Sequence, residues 1–372
     1  MTPTAINPQD SKSSILVFPA THPDGRDYLE VARERDERVV AASSAPEDIE
    51  IAGAIEQLAI LPYIYEANFE AEFLALTSKQ NISRIFAPVS AVYSRIAKLI
   101  VDRNLPIRLI GESPFKREMQ SCTREIYKAR SYLDFIRACS GFESQVDELE
   151  IAATFRLAAN IYGESNEHKI AAIIGIFLDA PKGDIVEIGS LAGKSAAVLA
   201  FLAKRHEIGA VLAIDPWRTD AAVQHDSPDT VRVDLIGEWD SETLVADFVI
   251  NTLPIGFGDL NYIRDTAENA IQTYRDSLAV RSQSFGETHY TGKISVIHID
   301  GNHDYANVKQ DVALWCPLIA NKGWMILDDY LWVHGDGPRR AGNELFAANI
   351  NKIERAFVAG KALFLKFSET PS

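Results

Sequence analysis

Short apolar runs alternate with amphipathic stretches along the first third of the chain. Strands that alternate with helices are typical of a parallel sheet that is covered on both faces. The pattern predicts a small Rossmann-like α/β domain over residues 13–115, preceded by a disordered terminus at residues 1–12. Its elements are predicted as strand 14–19, helix 24–35, strand 38–42, helix 69–79, strand 82–87, helix 91–103 and strand 107–110.

The rest of the chain begins with helices and then returns to an alternation of strands and helices. Residues 116–164 have helical periodicity and little strand character, which predicts a helical connector. Ser165 is predicted to cap a helix over 166–178. Strands are then predicted at 184–189, 211–215, 294–299 and 324–327, with a helix that carries Val308, Val312, Trp315 and Ile319 on one face and ends at Gly323.

These elements predict a second, doubly wound α/β domain over residues 165–372, with a mostly parallel sheet. Between residues 220 and 292 the pattern is polar and irregular, and we expect this region to shape a pocket for a substrate.

The charge of the chain narrows the classes of partner. There are 37 basic and 52 acidic residues, a formal net charge of −15, so binding to nucleic acid or to an anionic membrane is not expected. No apolar run is long enough to span a membrane, and the first residues lack the apolar core of a signal peptide. Three widely spaced cysteines form no disulfide framework. We expect a cytoplasmic protein that acts on a small molecule.

A glycine-containing turn joins the strand at 184–189 to the next helix. The turn reads Glu187-Ile-Gly189-Ser190-Leu-Ala-Gly193-Lys-Ser195. It lacks the third glycine of the dinucleotide fingerprint, and it is one residue too short for a phosphate-binding P-loop. Asp215 closes the following strand. Either carboxylate alone could simply cap its strand, but two at neighbouring strand ends mark the binding crevice of an open α/β sheet.

The spacing Glu187, Gly189, Gly193 and then Asp215 resembles the first two motifs of class I S-adenosylmethionine-dependent methyltransferases. The resemblance implies that the backbone from Gly189 to Gly193 lies close to the methionine part of the cofactor and that Asp215 accepts both ribose hydroxyls. The cofactor-binding residues that it implies are Glu187, Gly189, Ser190, Gly193, Ser195 and Asp215.

A second group of carboxylates follows the last two predicted strands. Asp300 ends one strand, and Asp328 and Asp329 end the other. Clustered carboxylates repel one another unless a cation or protons compensate, and oxygen ligands favour Mg²⁺, with Mn²⁺ or Ca²⁺ as alternatives. Successive strand residues point to opposite faces, so Asp328 and Asp329 can both bind an ion only if the strand has already ended.

The segment I-D-G-N-H-D-Y…W-x-P-L…G-W-M-I-L-D-D-Y at 299–330 resembles the metal-dependent macrocin-type (macrolide-sugar) O-methyltransferases and the related cephalosporin-hydroxylase-like proteins. The resemblance implies Mg²⁺ on Asp300, Asp328 and Asp329, and His303 as the general base. Asn302 stands where family members commonly carry a second acid. His298, inside its strand, is interpreted as a core residue.

These motifs predict an S-adenosylmethionine- and Mg²⁺-dependent O-methyltransferase for a sugar-like or natural-product hydroxyl. Two alternatives remain: a non-catalytic nucleoside-binding module, and a hydroxylase-like member of the same superfamily. Around Ser43–Asp48 the first domain resembles the small α/β domain that precedes ATP-grasp domains, but no ATP-grasp halves follow. The family resemblance also allows a homo-oligomer.

Overall fold

The structure, a computed structural model, describes residues 13–45, 58–141, 146–226, 228 and 240–371. The chain divides into two compact units, Met1–Arg124 and Glu125–Ser372. The predicted disorder of residues 1–12 and most of the Ser43–Asp48 stretch lie outside the described residues.

The first unit contains a five-stranded parallel sheet with the strand order β3-β2-β1-β4-β5. Its strands are apolar because both faces of a parallel sheet are covered. The sequence pattern did not predict β3, and the predicted strand 107–110 is only two residues long in the structure, as β5. The elements are β1 (Ser14–Val17), α1 (Pro23–Glu34), β2 (Val39–Ser43), β3 (Leu58–Ile60), α2 (Phe69–Lys79), β4 (Ile82–Phe86), α3 (Ser90–Asp102) and β5 (Arg108–Leu109).

Four helices follow: α4 (Pro114–Ser131), α5 (Leu133–Ser140), α6 (Glu148–Ala159) and α7 (Glu167–Phe177). The division between the two units falls inside α4, after the boundary predicted at residue 115. Ile136 and Phe155 belong to the same buried cluster as the central strands, so the predicted connector packs into the core of the second unit. The prediction of Ser165 as the cap of α7 is wrong, because the side chain of Asn166 accepts the Lys169 N–H.

The second unit is built on a seven-stranded sheet with the order β13-β14-β12-β11-β6-β7-β8. Only β14 is antiparallel to its neighbours among the paired strands of this sheet. The remaining elements are β6 (Asp184–Ile188), α8 (Lys194–Arg205), β7 (Val211–Ile214), α9 (Thr219–Ala222), α10 (Ser241–Gly256), β8 (Leu260–Ile263), α11 (Ala267–Ser277), β9 (Ala279–Ser282), β10 (Gly286–His289), β11 (Ile294–Ile299), α12 (Tyr305–Trp315), β12 (Ile319–Leu327), α13 (Gly337–Ala348), β13 (Ile353–Ala359) and β14 (Ala362–Phe367).

The predicted end of the helix before the last parallel strand is wrong. α12 ends at Trp315, and Cys316–Leu318 form a 3₁₀ turn in which Pro317 supplies no N–H to continue the helix. Ile319 therefore begins β12, and Gly323 lies inside that strand. A Cβ on Gly323 would lie 2.7 Å from the Ile319 side chain, which explains the glycine by close packing rather than by helix termination.

Four parallel strands end at the same level of the sheet. Ile299 pairs in register with both Ile188 and Leu327, and Ile188 pairs with Ile214. The residues that follow these strands leave the sheet at one edge, which is where an open α/β sheet binds its ligands. Of the residues that the structure describes, no helix is long and apolar enough to cross a membrane.

Candidate active site

The carboxylate set consists of Asp300, Asp328 and Asp329. The Asp328 N–H donates to the Ile299 carbonyl at 2.9 Å, and this is the last step of the strand pairing. Asp329 then has a φ of 47°, so the chain is no longer extended and the two side chains need not point to opposite faces. The Asp329 carboxylate lies beside His303, whereas the Asp328 carboxylate lies between Lys169 and His298.

Lys169, in the first turn of α7, brings a positive charge into this set. Its Nζ lies 3.3 Å from Asp300 Oδ2 and also contacts Asp328 Oδ2. The side chain is 1% exposed. Burial opposes the charged ammonium, but Asp300 and Asp328 more than offset it and raise the pKa of Lys169 above its ordinary value. The ammonium is therefore a fixed part of the site.

A buried histidine–carboxylate pair lies beneath the set. His298 Nδ1 is 2.9 Å from Glu187 Oε1, and the two residues are register partners on β11 and β6. Burial and Lys169 lower the pKa of His298, but Asp328, Glu187 and Asp300 raise it more, to about 9. Its Nε2 lies 3.7 Å from Asp300, too far for a hydrogen bond. His298 is buried, as predicted, and Glu187 orients it rather than facing an open crevice.

His303 lies on the outer side of the set. Its Nε2 is 3.2 Å from Asp329 Oδ2, and its Nδ1 is 3.2 Å from the Gln224 amide nitrogen. Because an amide nitrogen only donates, Nδ1 accepts from Gln224, and the proton of the neutral ring lies on Nε2. Burial lowers the pKa of His303 below its ordinary value of 6.5. The opposite face of Asp329 is closed by Lys361, whose Nζ is 3.2 Å from Oδ1.

The predicted cofactor loop runs directly against Asp300. Gly189 and Gly193 have φ values of 83° and 87°, and a Cβ on Gly189 would lie 2.1 Å from the Asp300 carbonyl oxygen. Only glycine fits a positive φ and such a close approach. The Ser190 side chain is buried, and its Oγ has no hydrogen-bond partner in the described part of the chain. Ser195 is also buried, in the first turn of α8.

Asp215 holds this loop in shape. One carboxylate oxygen accepts the N–H groups of Ser190 and Leu191 at 2.9 and 3.0 Å, and the other accepts the Trp217 N–H at 2.7 Å. The Trp217 indole N–H in turn donates a hydrogen bond to the Leu191 carbonyl at 2.8 Å. Burial raises the pKa of Asp215 despite these three bonds. The structure thus gives Asp215 a loop-organising role that the sequence did not predict.

Asn302 and Asp304 hold the segment 221–226 beside His303. The Asn302 amide donates to the carbonyls of Ala221 and Val223 at 3.0 and 2.8 Å. The Asp304 carboxylate accepts the N–H groups of His225 and Asp226, both at 2.7 Å. An acid at position 302 could not donate these two bonds, which accounts for asparagine there. This segment carries Gln224 to His303.

Comparisons with known proteins agree with this architecture. Residues 186–330 match a sequence family described as a methyltransferase domain. This chain contains a methyltransferase domain. Together with the fold, the match confirms the prediction of a class I methyltransferase. No curated protein sequence matches the chain.

Several solved structures are similar to this chain. The apo structure of CalS11, a TDP-rhamnose 3′-O-methyltransferase of calicheamicin biosynthesis, is 14% identical, with coverage of 70% of this chain and 97% of that one and a TM-score of 0.38. The O-methyltransferase NovP is 12% identical over 61% and 82% of the two chains, with a TM-score of 0.35. MycE of mycinamycin biosynthesis, in complex with Mg, SAH and mycinamycin VI, is 12% identical over 58% and 54%, with a TM-score of 0.35.

The sequence analysis did not predict the two lysines of this candidate site. Lys169 and Lys361 come from α7 and from the turn between β13 and β14, and neither lies in a motif. A signal existed for Lys169, because it is the one cation in the otherwise apolar helix sequence H-K-I-A-A-I-I-G-I-F. A charge in such a helix is costly to bury unless it is paired.

The described residues fit the predicted cofactor. A cradle of backbone with positive φ at Gly189 and Gly193 lies beside the unpartnered Oγ of Ser190, as a polar ligand requires. The three predicted metal ligands, Asp300, Asp328 and Asp329, fall into two groups whose ligand atoms lie within 4.8 Å of one another: Asp300 and Asp328 with His298, and Asp300 and Asp329 with His303. However, Lys169 lies between Asp300 and Asp328, where the prediction placed Mg²⁺. The magnesium site stays a prediction.

Proposed function

We propose that the chain transfers a methyl group from S-adenosylmethionine to a hydroxyl of a small molecule. The observation that carries this proposal is the imidazole of His303, 3.2 Å from Asp329, at the edge where the glycine loop lies against Asp300. Methyl transfer to oxygen requires an aligned nucleophile and a group that removes its proton. A sugar or natural-product hydroxyl is the proposed acceptor.

Each part of the site has a role in this reaction. S-adenosylmethionine supplies an electrophilic methyl group when it is bound. The backbone from Gly189 to Gly193 would bind it, with Asp215 keeping that backbone in place. Asp329 fixes the ring of His303 so that Nδ1 keeps its lone pair. Gln224 now donates to that nitrogen, and we propose that the acceptor hydroxyl takes its place and gives its proton to Nδ1.

The carboxylate set needs positive charge, and two sources are open. The predicted one is a divalent ion, for which Asp300, Asp328 and Asp329 would be the ligands and which would lower the pKa of an acceptor hydroxyl. It is supported in part by the ligand atoms that converge in two groups, Asp300 and Asp328 with His298, and Asp300 and Asp329 with His303. The other source is the pair of lysines already in contact with the carboxylates.

Calorimetry tests the proposed cofactor. We expect S-adenosylmethionine and S-adenosylhomocysteine to bind the full chain with micromolar dissociation constants, and we expect ATP, a nucleoside ligand without the methionine part, not to compete. No heat with either ligand at about 1 mM contradicts the proposal. Binding without methyl transfer to a panel of sugars and diols would favour the non-catalytic module instead.

The protonation of His303 gives a second prediction. Because burial lowers its pKa, the imidazole is neutral at pH 7, and its NMR titration should have a midpoint below 6.5. Since the neutral form is the base, the rate of transfer should fall only as the pH drops below that midpoint. H303A should lower turnover by about 10²–10⁴-fold. A near-wild-type rate for H303A would assign proton removal to another group.

A further inference from the structure

We propose that Lys169 supplies the positive charge of the carboxylate set, so that the site forms and works without a divalent metal ion. This inference rests on the proposed methyl-transfer function and replaces the ion that the sequence predicted with a residue of the chain. Lys169 acts as a positioning residue, because at 1% exposure its ammonium reaches the aspartates and not the acceptor.

Several of the carboxylate oxygens already have partners within the chain. Asp300 Oδ2 and Asp328 Oδ2 contact Lys169. Asp328 Oδ1 accepts the Asp329 N–H at 2.9 Å. Asp329 Oδ2 and Oδ1 lie 3.2 Å from His303 and from Lys361. Three of the six carboxylate oxygens therefore accept a hydrogen bond within the described chain, and a divalent ion bound by both Asp300 and Asp328 would have to displace the Lys169 ammonium.

The buried ammonium also disfavours an ion at this place. A divalent ion held by Asp300 and Asp328 would lie next to the Lys169 ammonium, which contacts both carboxylates. Repulsion between like charges is weakly screened in a buried position.

The fold holds Lys169 in this position. Asn166 caps the helix through the Lys169 N–H at 3.0 Å. The turn that carries Lys361 packs on the same residue, since a Cβ on Gly360 would lie 2.6 Å from the Lys169 backbone nitrogen. One contact thus places both lysines beside the carboxylates. An ammonium fixed in this way joins the ends of β11 and β12, which is the structural task of a bound ion.

Manganese titration followed by electron paramagnetic resonance tests the proposal without an acceptor. The full chain, freed of metal, should bind no Mn²⁺ up to about 1 mM, and its affinity for S-adenosylhomocysteine should change less than about twofold on addition of EDTA. K169M removes the ammonium that contacts Asp300 and Asp328, and we expect it to bind Mn²⁺ about tenfold or more tightly than the wild type. K204M, which breaks an exposed ion pair with Asp259, is the matched control and should behave as the wild type.

The outcomes separate this inference from the proposed function. Wild-type Mn²⁺ binding with a dissociation constant below about 1 mM overturns the inference, as does a loss of S-adenosylhomocysteine affinity in EDTA. In either case the methyltransferase proposal survives. Absence of S-adenosylhomocysteine binding contradicts the proposed function instead. If K169M does not fold, the wild-type titration alone decides.

Discussion

Replacement of Gly189 by alanine is expected to abolish cofactor binding and to destabilise the fold strongly. The new Cβ would lie 2.1 Å from the Asp300 carbonyl oxygen and 2.7 Å from the Gly301 Cα, both of them backbone atoms that cannot rotate away. The ends of β6 and β11 would have to separate, and Asp300 would move with them. We expect G189A to lower the free energy of unfolding by about 3 kcal/mol or more, measured by urea denaturation.

Gly258 provides the matched control. Its φ of 87° is nearly that of Gly189 at 83°, but a Cβ there would meet no atom within 4 Å. G258A therefore measures the cost of alanine at positive φ alone, about 1 kcal/mol. Equal losses of stability in G189A and G258A, with S-adenosylhomocysteine binding retained in both, would contradict the proposed close approach of the loop to Asp300.

The position of the site could be predicted from the sequence because it depends on local rules. An apolar strand that ends in a polar residue is readable from a few positions, and parallel strands bring such ends to one edge. Gly189, Asp215, Asp300 and Asp328 all follow strands whose last residues are in register. The condition for Asp329, that its strand has already ended, is met by its positive φ.

The partners of these residues could not be predicted in the same way. Lys169 is 131 residues from Asp300 and 159 from Asp328, so no local spacing relates them. Which face of α7 meets the sheet, and at which turn, is decided by packing of the whole second unit. The same holds for Lys361, whose strand pair the apolar pattern did not reveal.

Two errors in the fold arise where two alternative assignments have similar sequence signals. The predicted helix was extended to Ile319 because that residue fits the apolar spacing of α12, although it belongs to β12. Buried helices and buried strands both consist of apolar residues, so the spacing alone did not separate them. Pro317 was the signal that separates them. Likewise, the predicted cap at Ser165 and the observed cap at Asn166 are neighbouring residues of the same capping class, and only the backbone geometry distinguishes them.

Replacement of Asp215 by alanine is expected to destabilise the protein even when no cofactor is bound. Three backbone N–H groups, of Ser190, Leu191 and Trp217, lose their acceptor in a largely buried position. A buried donor without a partner costs about 1–3 kcal/mol, and partial access of water reduces the sum. We expect D215A to lower the free energy of unfolding by about 2–4 kcal/mol and to weaken S-adenosylhomocysteine binding about tenfold or more.

Asp240 offers a matched aspartate for this experiment. Its carboxylate accepts the N–H groups of Glu242 and Thr243 at an exposed helix start, and D240A should cost about 1 kcal/mol without changing cofactor affinity. D215N keeps one acceptor oxygen and should be intermediate between D215A and the wild type. If Asp215 served only the ribose hydroxyls of the cofactor, D215A would lose affinity while the apo protein kept its full stability. That result would contradict the loop-organising role, because the three N–H bonds exist before any ligand arrives.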